Sequence, residues 1–394
     1  MISLAEAQAR LIALASPKPA ELLPISDCFG RYLSQDIVAQ RSQPALDLSA
    51  MDGYAIGWND MPGPWENVGE SAAGRPYEGQ VSSGQSVRIF TGAALPDGAD
   101  TVIIQEDVTA NGKEVVLTGD GPTQKGAHIR QKSSDFDIGD ALLSTGARLN
   151  AGRMALAAMA GYGEIKVAAL PKVAYFSTGD ELVPPGTLTN DAQLPSSNNP
   201  MIRGLVAQSA CIFEDMGIIP DDLDEIRDTF RDLTNAKSDI IVTSGGVSVG
   251  DYDLIQPALR AAGATIAFWK IAMKPGKPVL VAQLGESIVI GLPGNPSSAY
   301  VTAFLLLLPL IAHLNGAANP IPDIFEAKLA NDIPATGPRA EFIRAELSGQ
   351  EIRAFDRQDS GIVSVLATAN ALIIRLPNAP PLRAGSQVSA YLLP

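Results

Sequence analysis

The chain has 394 residues, 46% of them hydrophobic, and a formal net charge of −14 at pH 7. That length predicts roughly two to four domains, and the acidic charge argues against nonspecific nucleic-acid binding, which requires a basic surface. The two cysteines, Cys28 and Cys211, and the two histidines exclude a disulfide framework and argue against a thiolate or histidine metal centre. So few cysteines predict a protein of the reducing cytoplasm.

The first half of the chain predicts a helix, then a β-rich stretch, then a helix again. Residues 3–16 are amphipathic and lack the basic start and cleavage site of a signal peptide. Within residues 46–145, the short β-like pieces VRIFTG, TVIIQEDV and KEVVLTG are separated by glycine, proline and aspartate, which predicts a small β-rich domain. Residues 147–163 return to a helical pattern.

The second half alternates apolar strands with helices from residue 172 to about 315, which is typical of a parallel, doubly wound α/β sheet. The most apolar run, residues 301–314, is too short to span a bilayer and contains Pro309, so we expect a buried helix and no membrane contact. Residues 199–217 predict a further helix. The segments EFIRAEL, ALIIRL and QVSAYLL predict a terminal β domain.

We therefore expect an α/β multidomain protein with four regions. These are an elongated, partly helical linking region over 1–45 and 146–170, a β-rich domain over 46–145, an α/β domain over 171–318, and a β-barrel-like domain over 319–394.

The stretch DLSAMDGYA at residues 47–55 fits neither the helical nor the strand period. An acid directly before a glycine usually marks a turn. Whether Asp52 only shapes a turn or also faces a ligand stays open at this point.

Two strand ends of the α/β region carry candidate ligand groups. In DIIVTSGGVSVGD (239–251) the glycines allow backbone amides to approach a phosphate, although a tight strand-to-helix turn explains them equally well. In FSTGDEL (176–182) the adjacent acids Asp180 and Glu181 suit Mg²⁺, but they also suit the first turn of a helix.

Two further stretches point to the same cleft. KIAMKPGKP (270–278) brings Lys274 and Lys277 together, either as an anion site or as a solvated hairpin. GLPGNPSSAY (291–300) places Asn295 and Pro296 at a helix start. Because ligands bind at the carboxyl ends of strands in such sheets, the combination predicts a phosphate-bearing ligand, a divalent metal and a second anion.

Several of these stretches resemble the MoeA-type molybdopterin molybdenumtransferases, a family related to the gephyrin E domain. The matching motifs are SAMDGYA (49–55), RIFTGAALPDGAD (88–100), FSTGDELVPPG (176–186), SGGVSVGDYD (244–253), MKPGKP (273–278) and GLPGNPSSA (291–299). The resemblance implies a MogA-like, molybdopterin-binding α/β domain. It also implies an enzyme that takes adenylylated molybdopterin and molybdate, uses Mg²⁺ and releases AMP.

The resemblance further implies a homodimer, with each active site between the α/β domain of one chain and the SAMDGYA domain of its partner. It leaves room for contact with the molybdopterin adenylyltransferase and with proteins that mature downstream molybdoenzymes. Adenylylation of molybdopterin by ATP, a non-catalytic scaffold, and a preference for tungstate over molybdate stay open as alternatives.

Site residues follow from the same resemblance. Catalytic roles are implied for Asp52, Thr91, Glu181, Asp221, Asp253, Lys274 and Lys277. Metal binding is implied for Glu181, Asp221 and Asp253. Substrate binding is implied for Gly245, Gly246, Ser248, Gly250, Pro278, Asn295, Arg339, Arg344 and Ser360.

The chain departs from the family pattern at two places. Leu48 stands where the family has asparagine, and Ser133 and Ser134 replace a glycine and an acid, while Asp135 remains.

Overall fold

The structure is a computed structural model that describes residues 1–188, 190–246 and 253–394. The chain forms two compact units. Unit 1 comprises Met1–Gln35, Thr145–Asn150 and Ile165–Pro394, and unit 2 comprises Asp36–Ser144 and Ala151–Glu164. The expected division into four regions is finer than this one and stays a prediction.

Unit 1 contains a central six-stranded sheet. Its strands lie in the order Ile212–Ile219, Lys172–Thr178, Ile240–Ser244, Ser287–Leu292, Leu280–Leu284 and Thr265–Trp269. The first four are parallel, as predicted, and the Ile240–Ser244 strand is buried along its whole length. The Leu280–Leu284 strand runs antiparallel to both of its neighbours, because a two-residue turn at Gly285 and Glu286 reverses the chain, whereas Thr265–Trp269 runs in the same direction as the first four. The expected wholly parallel sheet is therefore a mixed sheet.

Helices cover both faces of the central sheet. Their bounds are Leu4–Ile12, Asn198–Val206, Leu223–Asn235, Ile255–Ala262 and Pro296–Leu314. Asp222 caps the third by accepting hydrogen bonds from the amides of Asp224 and Glu225, both at 2.9 Å. The helix expected over 199–217 ends at Val206, and the β-branched residues that follow form the edge strand Ile212–Ile219.

The Pro296–Leu314 segment is long and apolar enough to cross a membrane, but 78% of it is buried inside the protein. A π-helical turn, Ala303–Leu307, joins its two α-helical parts, and Pro309 lies just after that turn. The prediction of a buried helix is confirmed. No other described helix meets the same criteria of length and hydropathy.

The end of the chain forms a closed barrel, here called the terminal barrel. Its strands are Ile324–Leu329, Ala340–Ser348, Glu351–Ala354, Ala371–Arg375 and Gln387–Leu392, and pairing of the second with the fourth closes the ring. The interior is filled mainly by alanine, isoleucine and other small or branched residues. A two-residue strand, Met273–Lys274, pairs with Ala340 and Glu341 of the barrel. The expected β-barrel-like domain is confirmed.

Unit 2 is built on a second six-stranded sheet. Its strands lie in the order Thr101–Ile104, Gly53–Ile56, Gln85–Ile89, Trp65–Ser71, Glu114–Leu117 and Val108–Asn111. The Ala151–Met159 helix and the paired short strands Leu48–Ser49 and Ile129–Arg130 also belong to it. Trp65 is buried against Tyr54, Ile56 and Ile103 and anchors one core cluster.

Short elements complete the two units. In unit 2 the strand Ile37–Val38 pairs with Ala141–Leu143. The other short strands are Ala20–Pro24, paired with Glu164–Ala168, and Leu182–Val183, paired with Leu194–Pro195. Single helical turns lie at Ile25–Asp27, Trp58–Asp60, Gln105–Asp107 and Val363–Leu366.

Candidate active site

A cavity of about 710 Å³ opens in unit 1 where the central parallel strands end. Loops that follow three of these strands line it, together with the KPGKP loop and residues of the terminal barrel. Eight of the residues predicted from the sequence come together here. They are Glu181, Gly245, Lys274, Lys277, Pro278, Asn295, Arg339 and Ser360.

The glycine loop brings backbone close to the neighbouring strand end. Gly245 has a φ of +96°, and a Cβ there would lie 2.4 Å from the Thr178 carbonyl oxygen. Gly246 is also left-handed, with a φ of +60°. A side chain at Gly245 would therefore displace backbone, so the glycine is required by close approach. The predicted residues Ser248 and Gly250 lie outside the described residues.

The basic wall of the cavity consists of Lys274, Lys277 and Arg339. The Lys274 Nζ lies 3.4 Å from the Glu341 Oε1, and Arg339 Nη1 donates to the Met273 carbonyl oxygen at 3.4 Å. Lys277 is exposed and forms no ion pair with any described residue. Because the Met273–Lys274 strand is paired with the terminal barrel, the KPGKP loop is held in place and is not a free hairpin.

The start of the Pro296–Leu314 helix faces the same cavity. Asn295 occupies the N-cap position, but its side chain donates to Ser360 Oγ at 3.0 Å and makes no capping bond. The Ser297 amide donates to the Ser360 carbonyl oxygen at 3.1 Å. The barrel segment that carries Ser360 is thus fastened to the helix start.

Arg344 does not line the cavity, contrary to the prediction of direct substrate binding. It is completely buried, and its guanidinium donates to Ser297 Oγ at 2.6 Å and to the Asp359 carbonyl oxygen at 2.9 Å. Burial lowers the pKa of Arg344, and the charge of Asp359 opposes that effect. Arg344 therefore places Ser360 by holding its segment against the helix.

An acidic corner adjoins the cavity, formed by Asp180, Glu181, Asp221 and Asp253. The Asp180 amide donates to Asp221 Oδ2 at 3.3 Å, and the Asp221 amide donates to Asp180 Oδ1 at 3.2 Å. Burial raises the pKa of Asp221, and the negative charges of Asp180, Glu181 and Asp253 raise it further, while the Asp180 amide opposes them. Such crowding of carboxylates favours a bound cation.

The donor chemistry of the acidic corner fits Mg²⁺, whose ligands are oxygens. Within residues 1–188, 190–246 and 253–394, no three histidine, cysteine, aspartate or glutamate side chains are placed so that together they could hold a metal ion. Mg²⁺ commonly uses one or two carboxylates and completes its shell with water and phosphate oxygens. The corner therefore suits a metal shared with a phosphorylated ligand.

Asp52 and Thr91 lie together in unit 2. The Thr91 amide and hydroxyl both donate to Asp52 Oδ1, at 2.8 and 2.9 Å. These donors, the amide first, lower the pKa of Asp52. A Cβ at Gly53 would lie 1.8 Å from the Ile103 carbonyl oxygen, so the strand after Asp52 requires glycine. Asp52 thus shapes a turn, while its Oδ2 accepts no hydrogen bond from the described part of the chain.

Sequence reasoning missed a polar network beneath the cavity. The Tyr175 hydroxyl lies 2.6 Å from Ser244 Oγ, and Ser177 Oγ donates to Asn199 Oδ1 at 2.6 Å. Burial raises the pKa of Tyr175 to about 12, so the phenol stays neutral. The hydroxyl of Thr178, in the cavity wall, is buried without a partner among the described residues. Polar residues at alternating positions of the buried strand KVAYFST were the available signal.

These features define a multidomain class: an α/β cleft lined by cations and glycine backbone, a closed terminal barrel and a separate β-rich unit. Three family models match it along the chain. They are the MoeA N-terminal region (domains I and II) at residues 2–161, a probable molybdopterin binding domain at 174–313, and the MoeA C-terminal region (domain IV) at 326–393.

Relatives match over nearly the whole length. A molybdopterin molybdenumtransferase of Haemophilus influenzae is 34% identical, with 95% of this chain and 94% of that protein covered. One from Staphylococcus aureus is 32% identical, covering 99% and 95%. The crystal structure of a molybdopterin biosynthesis MoeA protein from Pyrococcus horikoshii superposes with a TM-score of 0.83 at 27% identity, with both chains fully covered.

The chain therefore belongs to the molybdopterin molybdenumtransferase family, and it is a transferase of molybdenum-cofactor biosynthesis.

Proposed function

We propose that this enzyme inserts molybdenum from molybdate into adenylylated molybdopterin and releases AMP, in a reaction that depends on Mg²⁺. One observation carries the proposal: a chain of net charge −14 gathers Lys274, Lys277 and Arg339 around one cavity. A volume of about 710 Å³ is large enough for a nucleotide-sized ligand.

Different cavity residues are proposed to bind the two anions, which are the phosphates of the adenylylated pterin and molybdate. The Gly245 backbone and the helix start at Pro296 are suited to the phosphates of the adenylylated pterin. Lys274 is suited to stabilising negative charge on the phosphate oxygens as the anhydride bond breaks. Lys277, exposed and without an ion-pair partner in the described ranges, is proposed to bind molybdate.

The proposed Mg²⁺ site lies at the acidic corner. Some of Glu181, Asp221 and Asp253 would hold Mg²⁺, which when bound would supply positive charge to the phosphate oxygens. The raised pKa of Asp221 supports this assignment, because a cation relieves the repulsion among these carboxylates.

We also propose a cytoplasmic homodimer in which Asp52 acts in the cavity of the partner chain. The Oδ2 of Asp52 accepts no hydrogen bond from any residue that the structure describes, which supports a role beyond the turn, as does the lowered pKa that keeps the carboxylate charged. Thr91 would fix the orientation of this carboxylate through its two hydrogen bonds.

The test is AMP release from adenylylated molybdopterin with Mg²⁺, with and without molybdate, together with the metal content of the pterin. Molybdate-dependent release, with molybdenum appearing on the pterin, is expected. Formation of the adenylate from ATP and free molybdopterin, without release, would assign the preceding reaction instead. Inactivity of the folded protein in both assays would leave a binding role only. Tungstate in place of molybdate would show which oxyanion is preferred.

A further inference from the structure

Three charged residues form a row across three neighbouring strands next to the cavity. Lys274 is the register partner of Glu341, and Glu341 is the register partner of Arg375. Side chains at paired positions of adjacent strands lie on the same face of the sheet. Glu341 therefore lies between two cations, one from the KPGKP loop and one from the terminal barrel.

The first contact leaves Lys274 available to a ligand. Its Nζ lies 3.4 Å from Glu341 Oε1, and its side chain is 50% exposed, whereas that of Glu341 is 19% exposed. An ammonium group has three donors, and the contact with Glu341 uses one. Lys274 is therefore tethered at the cavity wall with donors left for an oxyanion.

The second cation, Arg375, acts on Glu341 through its charge and not through an ion pair. Arg375 is only 3% exposed, its Nη2 donates to the Pro380 carbonyl oxygen, and its Nη1 has no partner among the described residues. A buried guanidinium needs a negative charge nearby. Glu341 is the charge that counters the effect of burial on the Arg375 pKa. Arg375 therefore attracts the carboxylate of Glu341 from the strand opposite Lys274.

Glu341 lies behind Lys274 as seen from the main cavity. It does not line that cavity, but it lines a smaller one of about 300 Å³ at the edge of the terminal barrel. Lys274, Pro275 and Gln358 line both cavities. Glu341 therefore has no direct contact with a ligand in the main cavity, and Lys274 is the charged residue that lines both cavities.

We propose that Glu341 is a positioning residue: with Arg375 behind it, it confines the Lys274 ammonium group at the cavity wall and competes with bound anions for its charge. The consequence for turnover rests on the proposed function, whereas the consequence for anion binding does not. The terminal barrel thereby sets the position of a lysine in the cleft.

The Glu341→Gln variant separates charge from shape, because glutamine keeps the size and one acceptor oxygen. Release of the competing charge should tighten AMP binding about threefold, the size expected for a partly exposed ion pair. Loss of confinement should lower kcat for transfer about tenfold, because a misplaced charge stabilises the transition state less well. Tighter binding combined with slower turnover is not the signature of a merely destabilised fold.

The deciding experiment is a cycle of AMP affinities, measured by calorimetry, for the wild type, Glu341→Gln, Lys274→Met and the double variant. We expect Glu341→Gln to tighten binding in the wild-type background and to have no effect in the Lys274→Met background. An equal effect in both backgrounds, or no effect in either, would overturn the proposal. Glu346→Gln, an exposed change on the same strand, is the matched control and should leave AMP affinity unchanged.

Two further measurements distinguish the possible failures. Glu341→Asp keeps the charge and should return kcat toward the wild-type value; a kcat as low as that of Glu341→Gln would count against positioning by charge. Thermal unfolding of each variant reports whether the fold is intact, and weakened AMP binding together with a lower Tm would reduce Glu341 to a structural role. If the wild type binds AMP but transfers no molybdenum, the proposed function fails, while the affinity cycle still decides the role of Glu341.

Discussion

Asp52 in unit 2 and Asp221 in unit 1 are both predicted catalytic acids, but their surroundings are opposite. Asp52 accepts two hydrogen bonds from Thr91, and these neutral donors lower its pKa. Asp221 is partly buried among Asp180, Glu181 and Asp253, and its pKa is raised. The Asp52 carboxylate is stabilised by hydrogen bonds from Thr91, whereas the Asp221 carboxylate is destabilised by neighbouring negative charges.

This difference indicates where a ligand has to supply charge that the chain itself does not provide. Asp52 is charged and oriented before any ligand arrives, which suits direct contact with substrate. The acidic corner around Asp221 is relieved by a cation, and the wall of Lys274, Lys277 and Arg339 is relieved by anions. Unit 1 thus places charged groups of both signs around one cavity, as the proposed metal–phosphate ligand requires.

The largest effect should come from Lys274→Ala, which removes part of the basic wall. Transfer should fall by about 100-fold or more, the usual cost of losing one donor to developing negative charge. The side chain is half exposed, so the Tm should stay close to that of the wild type. Molybdenum transfer and thermal unfolding check the two statements, with Lys328→Ala in the terminal barrel as the control for lost positive charge. Normal turnover by Lys274→Ala would show that Lys274 does not stabilise the negative charge that develops during transfer.

Asp52→Asn should lower transfer about 10- to 100-fold, because the preset charge is lost while the amide oxygen still accepts from Thr91. The effect on stability depends on pH. The folded-state pKa of Asp52 is lowered, so its stabilising contribution is present above the unfolded value near 4 and is lost as the pH falls through the folded value. Urea unfolding should therefore show a deficit for Asp52→Asn at pH 7 that disappears in strong acid. A deficit that persists unchanged at low pH would contradict the assigned cause.

Mixing Asp52→Asn with Lys274→Ala tests whether the site draws on two chains. In an equal mixture that exchanges subunits, half of the dimers are hybrids with one intact site, so about a quarter of the wild-type activity should return. Separate refolded proteins, mixed without exchange, are the control. Failure to recover activity in verified hybrids would place Asp52 and Lys274 in the same chain's site or remove Asp52 from the site.

Asp221→Asn should change the free energy of unfolding only slightly, and it should stabilise the protein, whereas Asp52→Asn should destabilise it. The raised folded-state pKa of Asp221 means that its charged form costs stability above that pKa, and the penalty disappears as the pH falls toward the unfolded value near 4. The variant should therefore be about 0.5 kcal/mol more stable than the wild type at pH 7 without metal. Mg²⁺ should raise the Tm of the wild type more than that of the variant. An equal response to Mg²⁺ would remove Asp221 from the metal site.

The smallest expected effect is the change in stability on substitution of Ser133, which stands where the family pattern has glycine. Ser133 has a φ of 60°, and its hydroxyl donates to Asp137 Oδ1 at 3.0 Å. Ser133→Ala should destabilise the protein by about 1 kcal/mol, because it loses the hydrogen bond and keeps the strained backbone. Ser133→Gly should be within about 0.5 kcal/mol of the wild type, because relief of strain offsets the lost bond. Urea unfolding of both variants measures the ranking, and equal destabilisation would show that the left-handed backbone costs nothing here.

The sequence is most informative where residues that can bind a ligand also fix the local backbone conformation. The glycine at 245, the lysines of KPGKP and the proline at 296 were predicted to converge because each follows or joins strands of one sheet, and they do line one cavity. Strand direction was less accessible. Apolar runs such as VLVAQL and SIVIGL look alike whether parallel or antiparallel, so the pattern does not show that the Gly285 hairpin makes Leu280–Leu284 antiparallel to both of its neighbours.

Side-chain direction also required the structure. Arg344 matched a family segment, but it lies on the face of its strand that packs against the helix beginning at Pro296, and its guanidinium is used up by Ser297 and backbone carbonyls. Glu341, three residues earlier, faces Lys274 and Arg375 instead. Because side chains alternate along a strand, these opposite roles depend on the register of the barrel, and a single sequence does not give that register.

The proposed reaction is tested by the ratio of AMP released to molybdenum bound to pterin in a single turnover with Mg²⁺ and molybdate. We expect one AMP for each molybdenum transferred, and neither product when molybdate is omitted. AMP released at the same rate without molybdate, or molybdenum bound to pterin without AMP release, would contradict the proposed coupling of the two steps.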